Sequence, residues 1–188
     1  SATAQGVKGA RDGLVNNHDP YERLLAAPSS FHIIWDLVHF SRPENPFRHA
    51  HRCGDAIVRA NRVYDSILAV NEPSASFVSG IYWSDMVATG IAMMKIISSY
   101  RTVDFYTCDP IHSLDEHHFN ATDALVDSGY ITTVGINYYP HHAQAPLSEI
   151  IQKVHDRYRL PVMITETGWH DGLHEAHSRF PLVKSRKE

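Results

Sequence analysis

Short apolar runs recur along this chain, each ending in polar residues and each separated from the next by a stretch with helical spacing. The runs are Phe31–Phe40 (FHIIWDLVHF), Ile67–Pro73 (ILAVNEP), Val103–Thr107 (VDFYT), Ile131–Tyr139 (ITTVGINYY) and Pro161–Trp169 (PVMITETGW). A fainter one spans Gly6–Val15 and carries Arg11 and Asp12 into a turn. Between them, apolar residues spaced three and four apart predict helices over Phe47–Tyr64, from Ser84 or Asp85 to Ser99, over Ala121–Asp127 and over Leu147–Tyr158. A brief helix is expected over Tyr21–Ala27, with Asp19 as N-cap and Pro20 at its first position. The runs are nearly continuously apolar rather than alternating, as expected of parallel strands buried on both faces. Strand and helix thus alternate about six times, which predicts an α/β fold. By periodicity alone a doubly wound sheet fits as well as a barrel. No Gly-rich phosphate turn follows any strand, which removes the nucleotide-binding oxidoreductase reading and any expected cofactor.

At 188 residues and 43% apolar content the chain suffices for one substantial core. The formal charge of −4 leaves no basic field for nucleic acid or an anionic membrane. No run approaches the roughly 18 to 20 apolar residues of a membrane span. The opening residues lack the apolar core of a secretory signal, so the cytoplasm is the expected location. Cys53 and Cys108 read as small buried hydrophobes. Fourteen histidines are many. They include His117-His118, His141-His142 and the helically spaced His170, His174 and His177, but without an HExxH pattern they read as solvated loop residues and no metal is expected.

The chemistry concentrates at two strand ends. Val162-Met163-Ile164 delivers Glu166 and then turns at Gly168; Ile67 to Val70 delivers Asn71 and Glu72 and then turns at Pro73. An apolar strand presenting an acid at its C-terminal end is how a parallel barrel displays a catalytic group. Two carboxylates flanking a bond are what glycoside hydrolysis requires, one as proton donor and the other as nucleophile or base. Asn71 is suited to the sugar 2-hydroxyl. Asn137 and Tyr139 lie two apart on one strand and so share a face. A tyrosine hydroxyl, or Arg11 at an earlier strand end, would hold Glu166 ionised. Trp35, Trp83 and Trp169 offer faces on which sugar rings stack.

LAVNEPS (Leu68–Ser74), VGINYYP (Val134–Pro140) and VMITETG (Val162–Gly168) resemble, in order, three strand ends of the family 1 glycoside hydrolases. These are β-glucosidase-like, retaining (β/α)8 TIM-barrel enzymes. IIWDLVHF (Ile33–Phe40) is similar to the family's third strand, with Ile34 where the family has a histidine, and GARDGLV (Gly9–Val15) resembles the second. The resemblance implies a partial TIM-barrel glycosidase domain over residues 1–188, with the second to seventh strands recognisable and a carbohydrate as substrate. It implies Glu72 as acid/base and Glu166 as nucleophile, about 5 to 5.5 Å apart. Asn71, Asn137, Tyr139, Arg11, His39 and Trp169 would bind substrate or support the nucleophile. Two readings stand beside it: an endo-β-glucanase of the wider clan of barrel glycosidases, and a non-catalytic barrel fragment that binds sugar or a partner chain. Oligomeric state is left open.

Overall fold

The computed structural model describes residues 34–36, 45–60, 66–75 and 82–168. Six strands lie in it: β1 (Ile34–Asp36), β2 (Ser66–Leu68), β3 (Asp104–Tyr106), β4 (Asp109–Pro110), β5 (Ile131–Tyr138) and β6 (Val162–Thr167). Four α-helices separate them: α1 (Pro46–Ala60), α2 (Trp83–Ser98), α3 (Asn120–Asp127) and α4 (Leu147–Tyr158). A 3-10 helix, Glu116–Phe119, leads into α3. All pairings are parallel. β3 and β4 are two segments of one edge, since both pair with the same side of the sheet's β5 while β6 takes the other. Neighbours in the sheet are therefore neighbours in the chain, each reached through a helix. This is barrel order rather than doubly wound order. The sheet curls into a half-barrel.

The four long helices stand where apolar spacing places them, and α4 matches its expected bounds. At α2 the expected Ser84 or Asp85 cap is corrected: Tyr82 occupies the N-cap without a side-chain bond, and Asp85 sits in the first turn, where a negative charge favours the helix dipole. The methionines of α2 are core, with Met86, Met93 and Met94 fully buried. Two-residue alternation sorts the sheet's side chains. Ile67 and Phe105 join α1 and α2 in the outer core. Leu68, Tyr106 and Cys108 cluster with Ile34 on the other face. α4 closes a second core through Ile150 and Val154 against Val134 and Ile136 of β5. It is pinned to α3 by Arg157, whose guanidinium forks onto the Asp123 carboxylate at 2.7 and 2.6 Å.

β5 is buried at every position but Thr132, whereas β6 is half-exposed along most of its length. Among the described residues β6 pairs on one side only, which accounts for the difference. At Gly135 β5 and the β3–β4 segment approach closely: a Cβ there would meet the Thr107 carbonyl oxygen at 2.0 Å and the Thr165 methyl carbon at 2.6 Å. The Thr107 hydroxyl ties the two together, accepting from the Gly135 N–H at 2.9 Å and donating to its carbonyl at 3.1 Å. No described helix is long and apolar enough to cross a membrane.

Candidate active site

The ends of β2, β5 and β6 converge on one side chain, Asn137 near the end of β5, with the β3–β4 segment lying between β2 and β5. Its amide nitrogen donates to Oε1 of Glu72 at 2.7 Å and to Oε2 of Glu166 at 3.3 Å. Both bonds leave one nitrogen, so the sum of their lengths, about 6 Å, is the upper limit on the separation of the two carboxylate oxygens.

The register explains how Glu166 gets there. β5 and β6 pair Ile136 with Ile164, then slip, so that Asn137 faces Glu166 instead of Thr165. In a regular strand consecutive side chains point to opposite faces. The slip is a bulge, and a bulge re-aims side chains. Both residues consequently reach Asn137: Thr165 donates its hydroxyl to Oδ1 at 2.9 Å while Glu166 accepts from Nδ2.

Glu72 is set by a different device. Beyond β2 the chain continues to pair with the β3–β4 edge, Ala69 N–H donating to the Tyr106 carbonyl at 3.0 Å and Glu72 N–H to that of Cys108 at 2.6 Å. Glu72 itself has φ of 47°, in the left-handed region that a non-glycine residue seldom occupies. The turn that follows is clamped by Asp109, which accepts from the Ser74 N–H at 3.0 Å and from its hydroxyl at 2.6 Å. Asp109 is wholly buried. Burial pushes its carboxyl up to about 7; the Ser74 bonds pull the other way, and the Glu72 charge adds to the rise.

Of the expected site residues, Glu72, Glu166, Asn71 and Asn137 are brought together. Asn71 is buried beside Glu72, and its Oδ1 accepts from the Cys108 thiol at 3.0 Å. Tyr139 lies at the same end of β5, its ring 3.2 Å from where a Cβ on Gly168 would stand. Arg11, His39 and Trp169 lie outside the described residues, as do His170, His174 and His177. Trp83 opens α2 and is 39% exposed.

Four residues of this constellation are given no role by the sequence. Cys108, Asp109 and Thr165 act through neighbours that only folding supplies. His112, expected as a solvated loop residue, instead packs within 6.0 Å of the Tyr139 ring and 5.9 Å of the His142 ring, with His141 and His142 at 4.1 Å from each other. Burial, then the neighbouring histidines, lower its pKa to about 4, so the ring is neutral at ordinary pH. Cys53 behaves as expected: it is buried within α1, and burial pushes its thiol up to about 12. Asp115, His117 and His118 bring three donor atoms within 4.8 Å of one another, mostly exposed, on and just before the 3-10 helix rather than among these strand ends.

The arrangement holds two carboxylates side by side, one amide bridging them and a second amide adjacent. Such a pair can divide labour, one oxygen giving up a proton while the other stays ionised.

A scan against protein families finds no match. A search of curated proteins finds none either. Among solved structures the chain is similar to an Ignisphaera aggregans GH53 catalytic domain, at 15% identity and a TM-score of 0.51. The similarity covers 81% of this chain and 53% of that one, so this chain spans about half the length of its structural neighbour. That neighbour is a TIM barrel, and the likeness supports the half-barrel fold.

Proposed function

We propose that this chain carries the active site of a glycoside hydrolase acting on β-glycosidic bonds, with Glu72 as acid/base and Glu166 as nucleophile. The observation that carries the reading is the shared Asn137 amide, which keeps one oxygen of each carboxylate within about 6 Å of the other at the C-terminal ends of parallel strands. A retaining pair stands about 5 to 5.5 Å apart and an inverting pair about 6.5 to 9.5 Å, and one amide spanning both carboxylates supports the closer arrangement. In this mechanism Glu166 attacks the anomeric carbon as Glu72 protonates the departing oxygen. Glu72 then takes a proton from the water that releases the sugar. Asn71 donates to the 2-hydroxyl, and Tyr139 with Asn137 borders the sugar site. Arg11, His39 and Trp169 remain proposed substrate contacts or supports.

The strand-end motifs favour family 1 β-glucosidase-like specificity. A second reading is an endo-acting β-glucanase of the wider clan of barrel glycosidases, since the NEP and ETGW elements also occur there. Product chain lengths from a polymeric glucan separate the two, since exo-action releases single sugars and endo-action releases oligomers.

The test is hydrolysis of a panel of p-nitrophenyl β-glycosides by the wild type, Glu166→Gly and Glu72→Ala. Turnover by the wild type, with silence of Glu166→Gly relieved by azide as the inverted glycosyl azide, is the expected result. A folded wild type inactive across both the aryl glycosides and a set of polymeric glycans would end the proposal.

A further inference from the structure

The Asn137 amide is useful to the carboxylate pair in one orientation only. Glu166, ionised as the nucleophile, accepts hydrogen bonds and does not donate, and Glu72 accepts at Oε1, so Nδ2 must face both and Oδ1 must face away. A side-chain amide turned by 180° would set its oxygen against the Glu166 anion. Something has to hold Oδ1 from behind, and two groups do: the Thr165 hydroxyl at 2.9 Å and the Cys108 thiol at 3.2 Å. The same sulfur stands 3.0 Å from Oδ1 of Asn71. Both of these partners are carbonyl oxygens, so the sulfur carries its proton and shares it between them. Cys108 is fully buried at the junction of β3 and β4, and its own carbonyl accepts from the Glu72 N–H. It therefore touches all three sides of the constellation without reaching into it.

We propose that Cys108 is a positioning residue whose thiol, by donating to Oδ1 of Asn71 and of Asn137, fixes both amides so that the Asn137 nitrogen serves the two carboxylates. The proposal rests on the glycosidase reading for its consequence in catalysis, but not for its geometry. A small donor is what the place requires. Val removes the donor and adds a methyl group, Ala removes donor and bulk together, and Ser keeps the donor on a slightly shorter arm.

The expected pattern follows from that. Cys108→Val lowers kcat about tenfold with little change in KM, because Thr165 still holds one side of Asn137. It also moves the acid limb of kcat/KM upward by about half a pH unit, since a carboxylate that loses a donor is easier to protonate. Cys108→Ser retains at least about a third of kcat and the wild-type limb. A purely packing role would lower the melting temperature of Cys108→Ala and leave the acid limb in place. A second readout needs no turnover: the Asn137 side-chain NH2 resonances in 15N spectra should follow the carboxylate titration in wild type and in Cys108→Ser, and follow it far less in Cys108→Val.

Wild-type kcat and acid limb in Cys108→Val, or NH2 resonances there that still track the carboxylates, overturn the proposal. Equal impairment of the Ser and Val variants does so too, because it would assign the effect to shape. If the wild type hydrolyses no glycoside while the NH2 resonances respond as expected, the glycosidase reading falls and the positioning role stands.

Discussion

At Glu72 the chain accepts backbone strain at the residue that carries the chemistry. Its φ of 47° costs an L-residue about 1 kcal/mol or more, and such strain persists only where surroundings hold it. The holders here are the Cys108 carbonyl and the Asp109 clamp on Ser74. Glu72→Gly is accordingly expected to raise unfolding free energy in urea by about 1 kcal/mol while abolishing hydrolysis. Unchanged or lower stability would mean that the turn is not strained. Both carboxylates were legible in the sequence because each sits at the end of an apolar run, next to a residue that turns the chain. The strain was not, since a residue before proline is pushed toward extended backbone and nothing in NEP announces a positive φ at Glu72. Nor was the role of Cys108, because a lone cysteine between apolar neighbours reads as packing until two asparagine oxygens from other strands arrive beside it.

Among the elements, β5 organises the site, pairing with β4 on one side and β6 on the other. Its glycine is set by backbone proximity rather than by flexibility. Gly135→Ala would press a methyl group into the Thr107 carbonyl, a backbone atom that cannot swing aside, and is expected to cost about 3 kcal/mol, read as a lower urea midpoint or as loss of soluble protein. A midpoint within error of wild type would show that the two strands can separate there. The strand itself and the helices on either side were readable from periodicity. The bulge between β5 and β6 was not, because register depends on two strands at once and nothing in VMITETG marks which residue is passed over.

For the whole molecule, two titratable groups near the end of β4, Asp109 wholly buried and His112 partly so, act on stability in opposite directions. Asp109 keeps its proton to about pH 7 in the fold, against an ordinary value of 3.8. The folded state thus binds more protons than the unfolded chain across that window, and this contribution is lost as pH rises through it. His112 resists protonation down to about pH 4, against an ordinary 6.5. Its contribution is present above 6.5 and is lost as pH falls toward 4. Between pH 4 and 6.5 the two oppose. Removing one should unmask the other: Asp109→Asn should gain stability with rising pH over that window, and His112→Gln should lose it up to pH 7, the Asp109 contribution approaching about 1.4 kcal/mol per pH unit and the His112 contribution smaller because solvent screens its partly exposed ring. Urea unfolding at half-unit intervals reads both. A variant whose profile runs parallel to wild type would show that its group titrates alike in both states.

The sequence by itself determined the local terms: where apolar spacing makes helices, where continuous apolar runs make buried parallel strands, and which strand ends carry acids. These follow from side-chain patterns within one segment. Tertiary structure decided what depends on several segments together. It chose barrel order over doubly wound order, since curl and neighbour order are properties of the sheet. It slipped β6 by one residue to aim Glu166, and it turned Asn137 so that one nitrogen reaches two carboxylates. It also converted Cys108, Asp109 and His112 from unmarked residues into supports of the site. Hydrogen-bond partners and burial exist only once distant strands have met.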